Sequence, residues 1–429
     1  MDKFVIQGGR RLSGKVKIGG AKNAALILMA ASILGRSKSV IRRVPHLSDV
    51  VMQGKILQEL GMKLSFGQGG RLEVEPEDSA PSVAPYKLVR KLRGSVCVLG
   101  PLLGSRRHVR VSMPGGCIIG TRPIDLHVKG LRALNADVRV EHGYVVADAP
   151  DLRGGEVYMG GPFGSTVLGT ANVMMAASVA KGRTVIHCAA CEPEIQDLAK
   201  FLNKMGARIR GAGSPTITIN GVKELHGAEH EVIPDRIEAI TFMLAGAITK
   251  GDVTVTHCRP EHVSAAIDKL QEMGAAVTKG RNWVRVACNR RLKAADMTTL
   301  PYPGLPTDAQ AQQMALLSVS NGTSVVTEKV FPDRFMHIAE LNRMGADIRK
   351  EGPTAVVVGV PRLSGAPVMA SDLRASAGLV LAALAAKGKS VIRRVYHIDR
   401  GYERIEEKFK VLNGRISRVP DETGSDDEE

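Results

Sequence analysis

At 429 residues the chain is too long for one hydrophobic core, and its length predicts two domains of about 200 residues or three smaller ones. An apolar fraction of 44% can fill such cores, yet no apolar run reaches the 18 or so residues of a bilayer-spanning helix. The net charge of +16 favours anionic partners, while 3% aromatics supply few platforms for stacking bases.

The basic residues are dispersed along the chain, so phosphorylated small molecules lead over nucleic acid as partners. No membrane contact and no obligate protein partner is expected. The opening MDKFVIQGGRRLSG lacks an apolar stretch ending in a cleavage site, and the six cysteines are scattered; both fit a reducing cytoplasm. The last nine residues carry six acids and are expected to be disordered and solvating.

In chain order, Ala24–Leu34 (AALILMAASIL) is apolar on all sides and predicts a buried helix. KSVIRRV (38–44) alternates with β-branched residues and predicts a strand. LQELGMKL (57–64) reads as a helix end, stopped by a left-handed cap and followed by a strand. The series then returns at intervals of about 70 residues. The strand phrase recurs as RHVRVSM (107–113), RTVIHCA (183–189), GDVTVTH (251–257), TSVVTEKV (323–330) and KSVIRRV (389–395). The helix-end phrase recurs as LRALNADV (131–138), FLNKMGARI (201–209), LQEMGAAV (270–277), LNRMGADI (341–348) and FKVLNGRI (409–416). Further apolar helices fall at Thr166–Ala180, Ile237–Ile248 and Ala375–Ala386. An α/β protein of six similar units follows, three per domain, with the apolar helices inside and the sheets outside. Two such lobes predict a cleft in which a small ligand binds. Function must come from residues that break the pattern.

Lys22 and Asn23 stand at the mouth of the first apolar helix. They read either as a solvated helix start capped by Asn23, or as an oxyanion site served by Lys22 and the helix N-terminus. Cys117, in MPGGCIIGTRP, follows Pro-Gly-Gly five residues before Arg122. It is either a small buried hydrophobe or a thiol polarised by a nearby cation on a closing loop. Cys188 and Cys191 have CxxC spacing, but Cys188 belongs to the apolar pattern of a strand and no histidine cluster accompanies them, so zinc is not expected. Asp308, after Pro306, reads as a first-turn helix carboxylate. Arg334, Arg374 and Arg400 are either solvated charges or a set converging on phosphate and carboxylate groups. Phosphate loops of the Walker type, dinucleotide fingerprints and HExxH are absent from the sequence.

Long phrases in order then carry a resemblance: GGAKNAAL (19–26), PGGCIIGTRPIDLH (114–127), EPEIQDLAKFL (192–202), PDRIEAITF (234–242), LPTDAQAQ (305–312), DRFMHIAEL (333–341), SDLRASAGLVLA (371–382) and YHIDRGYERIEEK (396–408). Over almost its whole length the chain resembles the UDP-N-acetylglucosamine 1-carboxyvinyltransferases, a family of enolpyruvyl transferases. The resemblance implies a two-domain inside-out α/β barrel of six βαβαββ repeats. Its lobes would be 22–231 and 1–21 with 232–418, followed by the acidic tail 419–429.

The resemblance also implies transfer of the enolpyruvyl group of phosphoenolpyruvate to UDP-N-acetylglucosamine, with no metal and no cofactor. Cys117 matches the family's proton donor, which can also form a covalent adduct, and Asp308 matches its proposed base. Lys22, Arg122 and Arg400, with Asn23 and Arg374, match the phosphoenolpyruvate set, Lys22 and Arg400 counting with Cys117 and Asp308 as catalytic. Arg93, Arg122, Pro123, Ile124, Asp125, Leu126 and Val330 match positions around the UDP-sugar. Ser48 stands where many relatives carry lysine; Cys97, Pro332, Asn135 and the segment 160–165 are further departures. Two rivals remain: a 5-enolpyruvylshikimate-3-phosphate synthase, and a paralogue that binds anions without catalysis.

Overall fold

The computed structural model describes residues 1–77, 81–84, 86–90, 92–113 and 124–421. They form two compact units. One comprises Met1–Gly19 and the described residues from Pro234 onward; the other is drawn from the segment between Gly20 and Ile233.

Each unit holds three four-stranded sheets, and all six sheets share one pattern: a parallel edge pair, then two antiparallel pairings. In the first unit one sheet runs Pro367–Met369, Lys389–Arg393, Asp2–Gln7, Arg415–Pro420, so the start of the chain lies between two strands from its end. A second places Ser13–Lys17 parallel to Asp252–Thr256. In the other unit Glu229–Glu231 returns to lie parallel to Ser39–Arg42. Strands occupy every position where the alternating phrases fall.

The helix-end phrases stop for a local reason. Gly61, Gly206, Gly274 and Gly345 have φ between 73° and 106°, and Asn135 and Asn413 sit at 64° and 65°. Only glycine, and asparagine next, enter this region cheaply.

The apolar helices Lys22–Ala31, Val167–Ala177, Arg236–Ile248 and Leu373–Ala385 are buried along almost their whole length. Two more buried helices, Leu99–Arg106 and Gln310–Leu317, escape the apolar pattern. The first is interrupted by Gly100 and Pro101, and the second carries three glutamines. Their packing is close. A Cβ on Gly100 would lie 2.2 Å from the Asn172 carbonyl oxygen, and one on Gly378 would lie 2.7 Å from that of Ala311. In the first unit Arg236–Ile248, Gln310–Leu317 and Leu373–Ala385 touch one another in all three pairings. Asp235 and Asp372 cap the first and last of these, each accepting two backbone N–H bonds of 2.7–3.1 Å.

Cys188 departs from expectation. The strand Arg183–His187 ends one residue earlier, and Cys188 takes a left-handed conformation with φ of 53°. Among the described residues no helix is long and apolar enough to cross a membrane.

Candidate active site

The unit that contains the chain start gathers charge around Asp308. Pro306 delivers an extended chain into the 3₁₀ turn Thr307–Ala309, which leads straight into the helix Gln310–Leu317. Asp308 therefore stands at a helix mouth, as the sequence reading expects, but it does more than decorate the first turn. Its Oδ1 accepts from Arg334 Nη1 at 2.8 Å and its Oδ2 from Arg374 Nη2 at 3.2 Å. Both arginines are buried, with side chains only 7% and 2% exposed, while the Asp308 side chain keeps 25%. The carboxylate is thus the solvent-facing part of an otherwise enclosed ion cluster.

Arg374 lies 5.4 Å from the centre of the Tyr402 ring. Burial opposes its charge, but Asp308, then Tyr402 and Asp235, outweigh that and raise its pKa above the ordinary arginine value. Its Nε and Nη1 have no well-aligned acceptor among the described residues, although the nearby Tyr402 hydroxyl also favours its charged form. Buried guanidinium donors of this kind call for an acceptor, and an anion meets that need best. Gln312 ties the floor together, donating from Nε2 to the Asp308 carbonyl at 3.0 Å and to the Tyr402 hydroxyl at 3.1 Å. Burial raises the Tyr402 pKa, so the phenol stays neutral and acts as a polar strut.

Glu328, at the end of the strand Thr323–Glu328, is 1% exposed and accepts four hydrogen bonds. They come from the hydroxyls of Thr299 (2.5 Å) and Thr307 (2.9 Å) and from the backbone N–H groups of Val330 and Phe331 (2.9 Å each). Arg400 closes the 3₁₀ segment Val395–Arg400 and is half-buried. Burial, with the charge of Arg400 adding to it, lowers the pKa of His397 in the same segment.

In the other unit Lys22 is buried rather than solvated, and its Nζ donates to Asp49 Oδ2 at 3.0 Å. The helix begins at Lys22 with Ala21 as its cap residue, so Asn23 is not the cap; it lies in the first turn and is exposed. Asp49 belongs to the helix Ser48–Glu59, whose first residue, Ser48, is exposed. Cys97 lies fully buried near that first helix, accepting from Gln53 Nε2 at 3.7 Å and donating to the Leu26 carbonyl at 3.8 Å; burial pushes its thiol up to about 12.

Asp125 opens the helix Asp125–Arg132, with Ile124 buried and Leu126 half-buried beside it. An open recess of about 570 Å³ is lined by Ile124, Asp125, Val128, Lys129, Arg132 and Val140. On the same helix His127 is buried and pushed down to about 4, and its Nδ1 accepts from Asn172 Nδ2 at 2.9 Å. The backbone of Arg93 starts the 3₁₀ helix Arg93–Val98. Cys117, Arg122 and Pro123 lie outside the described residues, as does the acidic tail beyond Asp421.

The structure therefore joins Asp308, Arg334 and Arg374 directly, and Val330 to the same cluster through Glu328. Sequence reasoning missed Glu328, Tyr402 and Gln312 in one unit and Asp49 in the other. For Glu328 and Gln312 the one available signal was an acid or amide on a buried element; Tyr402 and Asp49 carried none.

The chain as a whole is similar to known proteins. The family model described as EPSP synthase (3-phosphoshikimate 1-carboxyvinyltransferase) matches residues 6–409. A UDP-N-acetylglucosamine 1-carboxyvinyltransferase of Desulfosudis oleivorans is 52% identical over 419 residues, covering 98% of this chain and 100% of that one. A protein of the same name from Myxococcus xanthus is 52% identical over 426 residues, covering 97% and 99%. Among solved structures, the enolpyruvyl transferase NikO of Streptomyces tendae superposes with a TM-score of 0.87 at 24% identity, covering 98% of this chain and 99% of that one. EPSP synthase of Acinetobacter baumannii does so with a TM-score of 0.75 at 17% identity, covering 98% and 100%. These two show a shared α/β fold. With a family model spanning nearly all of it and full-length relatives at half identity, the chain belongs to the EPSP synthase family, among its UDP-N-acetylglucosamine 1-carboxyvinyltransferases.

Proposed function

We propose that this chain transfers the enolpyruvyl group of phosphoenolpyruvate to the 3′-hydroxyl of UDP-N-acetylglucosamine and releases phosphate, the first committed step towards peptidoglycan precursors. The observation that carries this reading is 52% identity along essentially the whole chain with proteins named for that transfer. The buried Arg374, with two donors lacking a well-aligned acceptor beside a carboxylate, supports it.

The chemistry needs a proton delivered to the methylene carbon of phosphoenolpyruvate and a proton removed from the sugar hydroxyl. The freed oxygen bonds to C2; the tetrahedral adduct then loses a proton from the new methyl group and breaks the C2–O bond to phosphate, restoring the vinyl group. Cys117 is assigned the delivery of the proton, with covalent addition as its second capacity, and Asp308 the removal. Lys22, Arg122, Arg374 and Arg400, with Asn23, are assigned the phosphate and carboxylate of phosphoenolpyruvate. Arg93, Pro123, Ile124, Asp125, Leu126 and Val330 are assigned the UDP-sugar. Arg334 holds Asp308 in place, and the scheme uses no metal.

The architecture proposed with it is an inside-out α/β barrel: six βαβαββ copies, three in each of the lobes 22–231 and 1–21 with 232–418; of the expected tail 419–429, Val419 and Pro420 instead pair with Lys3 and Asp2 in the last strand, and Asp421 accepts from Lys3 at 3.0 Å. The compartment proposed is the cytoplasm, which the unpaired thiols of Cys97, Cys188, Cys191, Cys258 and Cys288 fit. Because the matching family model is described by a shikimate substrate, the deciding assay measures phosphate release from phosphoenolpyruvate with either acceptor. Release that requires UDP-N-acetylglucosamine supports the reading; release driven by shikimate 3-phosphate overturns it.

A further inference from the structure

We propose that Glu328 is a positioning residue for the proton-removing step, acting on Asp308 through the hydroxyl of Thr307. The proposal rests on the reading of Asp308 as base.

The links form one directed chain. Glu328 Oε2 accepts from Thr307 Oγ1 at 2.9 Å, so the Thr307 proton points at Glu328 and its lone pairs face away. One lone pair receives Arg334 Nη1 at 3.1 Å, and the same nitrogen donates to Asp308 Oδ1 at 2.8 Å. The hydroxyl direction set by Glu328 thereby fixes where the guanidinium sits, and the guanidinium fixes one oxygen of Asp308. Thr307 and Asp308 are neighbours in a single 3₁₀ turn, so the same bond also pins the backbone that carries the base.

The other Glu328 oxygen does a second job. Oε1 accepts from Thr299 Oγ1 and from the N–H groups of Val330 and Phe331. Lys329 N–H in turn donates to Thr299 Oγ1 at 3.1 Å. One buried carboxylate therefore locks the turn that carries Val330 to the turn that carries Asp308. These are the residues assigned to the UDP-sugar and to its hydroxyl proton. A base and a sugar contact tied to one anchor keep a constant separation, which a proton transfer over hydrogen-bond distance requires.

The isosteric change Glu328→Gln isolates the claim. With three donors aimed at Oε1, the amide must present its oxygen there and its NH2 to Thr307. Three bonds survive and one reverses: Thr307 now faces two donors, and its own proton loses its acceptor. The expected result is a fall in kcat of about 10- to 100-fold, with KM for both substrates within about twofold of wild type and little change in Tm. Thr307→Val should reproduce the kcat loss, and Thr307→Ser should restore most of it, because only the hydroxyl carries the link.

Asp308→Asn is measured alongside. If it retains wild-type turnover, the base assignment itself fails. If it is inactive while Glu328→Gln and Thr307→Val keep wild-type kcat, the positioning role is overturned and the base assignment stands. A KM rise at constant kcat, or equal losses for Thr307→Ser and Thr307→Val, also overturns the role. Should Glu328→Gln fail to fold, the Thr307 pair decides the matter, since that side chain is only partly buried.

Discussion

Arg374 meets Asp308 through Nη2 alone, at 3.2 Å, and keeps its Nε and Nη1 without a well-aligned acceptor among the described residues while its side chain is 2% exposed. Arginine–carboxylate pairs frequently use the planar fork fully, donating in parallel to both oxygens. This arginine instead offers one edge to the protein and holds the other in reserve.

Arg374→Lys tests that reserve. Lysine keeps the charge but has neither the fork nor its reach, so one partner must be lost. We expect kcat/KM for phosphoenolpyruvate to fall by about 100-fold or more, in line with the loss of a charge-assisted bond of about 3 kcal/mol. Thermal stability should change far less, because Asp308 remains paired with Arg334. Steady-state kinetics and calorimetry on the same preparation check both.

Thiol reactivity should be confined. Burial pushes Cys97 up to about 12 and Cys258 and Cys288 to about 11, so each is almost wholly protonated near neutral pH. Fosfomycin, an epoxide, should therefore add its mass at Cys117 and spare these three, as peptide mass mapping will read. Phosphate release should be abolished in Cys117→Ala. Near wild-type release in that variant would remove the role assigned to Cys117.

Acid should destabilise the fold through two imidazoles. Burial holds His127 and His337 down at about 4, against 6.5 for an exposed histidine. Between those values the unfolded chain binds protons that the folded chain refuses. Their contribution is therefore complete above pH 6.5 and declines as pH falls towards 4, by about 3 kcal/mol per histidine at most. For His127 the contact explains the sense, since protonating Nδ1 would turn it towards another donor, Asn172 Nδ2. Asn172 cannot flip to help, because its Oδ1 already accepts from Gly100 N–H at 2.7 Å. Glu238 works the other way: burial raises its pKa despite Lys408, favouring the folded state as pH falls. A His127→Gln variant isolates one term. Its Tm should drop less than wild type between pH 7 and 5.

Asp49→Ala should be the most damaging single change near Lys22. It removes a carboxylate 3.0 Å from a lysine side chain only 10% exposed, and with it one charge-assisted hydrogen bond in a buried setting. Loss of one member of such a pair typically costs about 3–5 kcal/mol. Asp49→Asn, which keeps an acceptor, should lose clearly less in urea unfolding.

What the sequence discloses divides by range. The buried helix Lys22–Ala31 and the left-handed stops at Gly61 or Asn413 are decided by neighbouring residues, so composition and period suffice to find them. Leu99–Arg106 hides because a helix packed this closely needs Gly100, which reads locally as a breaker. The pairing of Asp308 with Arg334 and Arg374 spans 26 and 66 positions, and no local rule connects them. Family resemblance names the individual residues. Only the fold reveals that two of the arginines share one carboxylate, or that Glu328 stands behind it.

The placement of Asp2–Gln7 between Lys389–Arg393 and Arg415–Pro420 bears on synthesis. A ribosome emits Asp2–Gln7 long before either neighbour, so that strand must wait unpaired until Lys389–Arg393 and then Arg415–Pro420 emerge. The unit drawn from Gly20–Ile233 has no such debt and can condense while the rest is still being made. The protein should thus mature in two stages, the second gated by emergence of Lys389–Arg393 and Arg415–Pro420. A stop codon placed before Arg415 would strand a completed half beside one with an open sheet edge, a natural substrate for aggregation or proteolysis.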